Sequence, residues 1–177
     1  TGVHRFDFDG RYAYIYPTCD GYVGNLVMIL DFKDPARPEE VGRWWMPGQW
    51  TAGGEKPAWE GSAHRCHHPL RVGNRLYTSY WYGGFVILDI EDMSRPKLVS
   101  GHDWSPPFPW PTHTALRVPF KVDGRDLMVV SDEDVTRLPG CPPYPSAFLW
   151  VVDITDEKHP SQFASYQLEH IPPVEQP

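Results

Sequence analysis

One phrase recurs three times and constrains the fold more than any other feature of the chain. It reads Val27-Met28-Ile29-Leu30-Asp31-Phe32-Lys33-Asp34-Pro35-Ala36-Arg37-Pro38, then Val86-Ile87-Leu88-Asp89-Ile90-Glu91-Asp92-Met93-Ser94-Arg95-Pro96, then Trp150-Val151-Val152-Asp153-Ile154-Thr155-Asp156-Glu157-Lys158-His159-Pro160. The shared core is an apolar run followed by Asp-x-x-Asp-x-x-(Arg/His)-Pro. Its leading aspartates, Asp31, Asp89 and Asp153, stand 58 and 64 residues apart. Apolar runs closed by turn residues read as buried strands. Strand phrases repeated at this spacing predict a β-propeller or a related array of small sheets.

Composition agrees. The 20 prolines and 15 glycines punctuate many turns, and aromatic residues reach 14%, which suits strands and tight cores. No stretch keeps an apolar period of 3.6, so little helix is expected. The expected class is all-β, with repeat units over about 1–50, 64–104 and 112–168 of a single propeller domain, 1–177. Each unit opens with a strand, turns at Asp9-Gly10-Arg11, Gly73-Asn74-Arg75 or Asp123-Gly124-Arg125, and returns through a second strand. The repeated phrase is the third strand. About three blades result, and propellers have roughly 4–8, so further blades from the same polypeptide or a second chain are expected.

A net charge of −7 with no basic stripe argues against sequence-independent nucleic-acid binding and against an anionic membrane surface as partners. No apolar run approaches the roughly 20 residues of a membrane helix. Cys19, Cys66 and Cys141 share no CxxC spacing and read as unpaired thiols. The sequence does not assign a compartment.

Counting back from the turn arginine, His4 precedes Arg11 and His68 precedes Arg75 by seven residues, and His113 lies before the longer third hairpin. One histidine therefore stands at the entrance of each first strand, which in a propeller lines the channel. Converging imidazoles bind Zn, Cu, Fe or Mn. His4, His68 and His113 are the expected ligands of one transition-metal ion. Strand alternation puts His67 and His68 on opposite faces unless the strand is bulged. His67 and Glu133 are candidate catalytic groups, and His64 and Asp132 are outer supports or alternative ligands. Tyr80, Trp81, Trp104 and Trp110 are candidate walls of a substrate pocket. The repeated aspartates read as turn formers, and His102 and His159 read as structural. Three loops, 45–63, 102–111 and 132–146, are long enough to be a lid or binding surface.

The Asp-x-x-Asp-x-x-Arg-Pro phrase resembles that of the bacterial LVIVD-repeat proteins. The stretches Arg75-Leu76-Tyr77-Thr78-Ser79-Tyr80-Trp81 and Asp89-Ile90-Glu91-Asp92-Met93-Ser94-Arg95-Pro96 also look like selenium-binding protein, or methanethiol oxidase. That second resemblance implies a seven-bladed ring and a histidine-bound metal, copper in the bacterial enzymes. The paired-cysteine motif of that family is absent from this chain. The expected function is a metal-dependent oxidoreductase acting on a small molecule in the channel. A non-catalytic binding or scaffold propeller and a metal-dependent hydrolase or lyase are the alternatives.

Overall fold

The computed structural model describes residues 3–105, 108, 110–133 and 147–167. Cys141, His170 and most of the loop 132–146 lie outside these residues. Twelve strands form three sheets of four. The first holds β1 (Asp7–Phe8), β2 (Tyr12–Ile15), β3 (Val27–Asp31) and β4 (Glu39–Trp44). The second holds β5 (Arg65–Val72), β6 (Arg75–Trp81), β7 (Phe85–Asp89) and β8 (Lys97–His102). The third holds β9 (Thr112–Arg117), β10 (Leu127–Asp132), β11 (Leu149–Asp153) and β12 (Ser161–Tyr166). Strands within each sheet pair antiparallel in chain order. Each is a meander, the form expected of a propeller blade. Among the described residues the helical structure is one 3-10 turn at Thr51–Gly53.

The repeated phrase folds the same way each time. Asp31, Asp89 and Asp153 accept the N–H two residues on, at 2.8, 2.8 and 2.9 Å. Asp34, Asp92 and Asp156 do the same at 3.1, 3.0 and 3.0 Å. These short side chains hold the turn by satisfying its backbone donors. The turn arginines add ion pairs, Arg11–Asp31, Arg75–Asp89 and Arg125–Asp153, at 2.7, 3.0 and 2.5 Å.

The sheets pack face to face in sequence. β1 and β2 lie against β5, and β5 and β6 lie against β9, so first strands of successive sheets are neighbours. Tyr14, Val27 and Ile29 of the first sheet bury against Leu76, Val86 and Leu88 of the second. Tyr77, Phe85 and Ile87, from the second sheet's other face, bury against Met128, Trp150 and Val152. The second and third turn phrases also dock on the fourth strand of the preceding sheet. Gly42 allows the backbone of Met93 to approach so closely that a Cβ would collide with its carbonyl. At the matching position Ser100 donates to the Glu157 carbonyl at 2.5 Å. The Tyr77 hydroxyl donates to Glu157 Oε1 at 2.5 Å and Arg75 pairs with the same carboxylate at 2.8 Å. Tyr77→Phe should therefore cost about 1 kcal/mol in urea unfolding, because Arg75 still partners the partly buried Glu157.

The long loops are packed in part. Gln49, fully buried, donates to the carbonyls of Val23, Asn25 and His64 and ties the first sheet to the second. His102 ends β8, paired with Phe85, and so belongs to a strand rather than a loop.

Candidate metal centre

Register fixes which histidines correspond. Ile29, Ile87 and Val151 hold the same place before the repeated aspartates, and they pair with Tyr14, Tyr77 and Val129. Those pair in turn with Asp7, Leu70 and Leu116 on the first strands. Three residues upstream of these stand His4, His67 and His113. Counting from the turn arginine selects His68 in place of His67, because the arginines are not in register. The carbonyls of Arg11, Asn74 and Asp126 occupy equivalent places, accepting from Phe32, Ile90 and Ile154. Arg75 therefore stands one residue after the equivalent of Arg11, and Arg125 one before. A long guanidinium reaches the aspartate from all three positions, so its place in the turn drifts without loss of the ion pair.

Bulges then aim the side chains. In β5, Cys66 pairs with Tyr80 and His68 with Ser79, leaving His67 as the extra residue. In β9, Thr112 pairs with Asp132 and Thr114 with Ser131, leaving His113 as the extra residue. A bulge frees one residue from the ladder and redirects its side chain.

Three ligand groups meet here. His67, His113 and Glu133 each offer a ligand atom, and these atoms lie within 4.8 Å of one another. The rings of His67 and His113 are 4.4 Å apart between centroids. Glu133 comes from the residue after β10, the register equivalent of Trp81. Its Oε2 is buried with no hydrogen-bond partner among the described residues. A buried carboxylate oxygen without a donor is unfavourable unless a cation completes it. The His67 Nδ1–H donates to the His113 carbonyl at 2.8 Å, which leaves Nε2 as the unprotonated ring nitrogen. Ser79 donates to the same carbonyl at 2.7 Å and fixes it. His113 Nδ1 lies 2.8 Å from Thr114 Oγ1.

The electrostatics favour ligation. Burial is the largest influence on His67 and pushes its pKa down to about 4, with the neighbouring His113 and His4 adding to the fall. Burial also lowers His113, against the raising influence of Glu133. Neutral imidazoles keep their lone pairs at neutral pH, as cation binding requires. The donor set of two imidazoles and one carboxylate fits iron(II) or zinc.

The other sequence candidates are placed as follows. His4 borders the group, its ring 5.3 Å from that of His67, and its Nδ1 lies 2.7 Å from the Tyr16 hydroxyl. His68 stands one step aside, Nδ1 3.3 Å from Thr114 Oγ1, and its pKa is pushed down to about 4 by burial and then by Arg5. His64 is turned elsewhere, stacked on Trp59 at 4.6 Å with Nδ1 3.3 Å from Met46 Sδ. Asp132 faces the third-sheet core, accepting from Trp150 Nε1 at 2.7 Å and Thr112 Oγ1 at 3.1 Å. Of the four aromatic candidates, Trp81 alone borders the cavity described below. Tyr80 is buried between the first two sheets, and Trp104 and Trp110 are buried as well, Trp104 stacked on Trp150 at 4.9 Å. They fill the core because the blades need large apolar groups between their faces.

A cavity of about 440 Å³ opens beside the group, lined by His4, Tyr16, Thr18, Asn25, Arg65, Cys66, His67, Trp81 and Glu133. It draws on all three sheets. Tyr16 and Arg65 escaped the sequence reading. Tyr16 was reachable by register, as the equivalent of Ser79 and Ser131, whereas Arg65 carries no repeat signal.

Burial raises the Asp132 pKa to about 6, outweighing its donors Trp150 and Thr112. A carboxyl raised in the folded state gives stability that is full below its unfolded pKa and lost as pH rises through the folded one. Metal-free wild type should lose about 2 kcal/mol relative to Asp132→Asn between pH 4.5 and 7.5. Urea unfolding at the two pH values checks this, and parallel curves would refute it.

Comparison with known families matches residues 72–103 to the LVIVD repeat. The match runs from the end of β5 through β8 and contains the second copy of the phrase. No curated protein matches the chain. Residues 72–103 are thus an LVIVD repeat, set in the middle one of three antiparallel sheets.

Proposed function

We propose that this chain is a metal-dependent enzyme, an oxidoreductase that acts on a small molecule in the cavity beside His67, His113 and Glu133. The observation that carries the reading is the convergence of three ligand atoms within 4.8 Å, one of whose carboxylate oxygens is buried and unpartnered. A redox-active ion, iron(II) first and copper or manganese next, would be held there by His67, His113 and Glu133 and would supply redox chemistry toward dioxygen or substrate. The chain's own residues hold it by two imidazoles and one carboxylate. His4 and Tyr16 line the cavity, with His4 Nδ1 2.7 Å from the Tyr16 hydroxyl, and would relay a proton between cavity and solvent. The resemblance to selenium-binding protein favours redox chemistry. Zinc hydrolase chemistry is the second reading, because the same donor set suits zinc. Oxygen uptake by iron(II)- or copper-loaded protein, across a panel of small molecules, tests the first reading. Substrate-dependent uptake that disappears in His113→Ala is expected. Turnover confined to ester hydrolysis by the zinc form would favour the second.

We also propose that a further repeat unit covers the outer face of the third sheet. Val41 and Val99, the extra residues of the bulges in β4 and β8, pack against the next sheet's core. Their register equivalent, Phe163, is 56% exposed, and Leu149 and Leu116 of the same sheet are exposed as well. Such a face invites a blade bearing the same phrase. Light scattering should find the 177-residue chain self-associated, and Phe163→Asp should reduce this. A stable monomer at high concentration would contradict it.

A further inference from the structure

We infer that the cavity takes a small carboxylate, held by Arg65 and the indole N–H of Trp81 while the rest of the molecule faces the metal centre. The inference deepens the metal reading and rests on it. Arg65 lines the cavity, and its guanidinium carbon stands 4.2 Å from the centroid of the Trp81 ring. The turn arginines are spent on carboxylates. Arg65 has no such partner among the described residues, so its planar fork of donors is not spent on an ion pair. The indole Nε1 of Trp81 is likewise buried with no acceptor among the described residues. A buried donor left unmatched is unfavourable, and a ligand oxygen would relieve it.

Charge points the same way. Arg65 and Glu133 are the charged members of the cavity lining, and they balance until a divalent ion joins Glu133. The occupied site is then positive, within a chain whose net charge is −7. Arg5 acts on His68 and His113 as a further cation nearby. One guanidinium and one N–H match the two oxygens and single charge of a carboxylate. A phosphate would bring at least one further oxygen that these two groups do not meet. Trp81 also stacks on His67 at 5.2 Å, so an anion placed on Arg65 lies one ring away from a metal ligand.

The test is calorimetric titration of the zinc-loaded full chain with benzoate, its neutral counterpart benzamide, and inorganic phosphate. Benzoate should bind at least about tenfold more tightly than benzamide, and R65Q should lower benzoate affinity about tenfold or more. R65Q should not weaken zinc binding, because it removes a cation from beside Glu133, and R65K, which keeps the charge without the fork, should fall between wild type and R65Q in benzoate affinity. If zinc binds but benzoate is indifferent to Arg65, or phosphate binds more tightly than benzoate, the carboxylate site is overturned and the metal reading stands. If zinc does not bind, the metal reading fails. Titration of the metal-free protein then decides the anion site alone: Arg65-dependent benzoate binding keeps it, and its absence removes it.

Discussion

His67→Ala is expected to lower zinc or cobalt affinity about 100-fold or more, whereas His68→Ala should lower it about tenfold or less. The two residues are adjacent, and both are largely buried imidazoles with pKa values pushed to about 4. The difference lies in the bulge of β5. His67 is the residue freed from the ladder, and its Nδ1–H is held by the His113 carbonyl with Nε2 left for a cation. His68 stays paired opposite Ser79 and reaches the centre only by way of Thr114. Isothermal titration of the two variants decides between them. Loss of binding in His68→Ala with retention in His67→Ala would restore the alignment on the turn arginines. His113→Ala and Glu133→Ala should behave like His67→Ala, because each removes one member of the same group.

The largest loss of stability is expected at Trp150. Its side chain is 1% exposed, stacked on Trp104 at 4.9 Å and on Phe148 at 4.7 Å, with Phe108 edge-on at 5.0 Å. It also donates to Asp132. Trp150→Ala removes the ring, opens a cavity and leaves a buried carboxylate short of a donor, so it should cost about 3–5 kcal/mol. Val72→Ala, at a position 42% exposed, should cost about 0.5 kcal/mol or less. Urea unfolding of both variants measures the contrast. Equal losses would mean that the second core does not depend on its aromatic stack.

Much of the fold was legible because the repeat phrase carries its own turn chemistry. Asp31, Asp89 and Asp153 each need the same backbone N–H two residues on, and the apolar run before them needs two packed faces. Both requirements are local, so three copies of the sequence give three copies of the structure. The residues of the candidate group, His67, His113 and Glu133, were all visible in the sequence, but their register was not. Histidines at the start of each first strand were visible, and His4 and His113 are register equivalents. The third member was displaced by one residue, because arginine reaches its partner from several positions and cannot serve as a ruler. The backbone partner of the residue after each repeated aspartate is the better marker. Bulges are harder still to read, since Arg65-Cys66-His67-His68 contains no glycine or proline to announce one. The aromatic residues misled for another reason. Tyr80, Trp104 and Trp110 have the composition of a pocket wall, but the gaps between blades need the same large side chains.

The most direct measurement is the metal content of the intact chain, by mass spectrometry of the purified protein and after reconstitution with iron(II), copper, manganese or zinc. One equivalent of a transition metal per chain is expected in the wild type, and none in the variant with His67, His113 and Glu133 all replaced by alanine. The variant should keep the wild-type β-sheet circular dichroism, since the strands are held by the phrase turns and the two cores. Wild-type protein that is metal-free and takes up no ion on titration would contradict the metal centre, as would one equivalent retained in the triple variant.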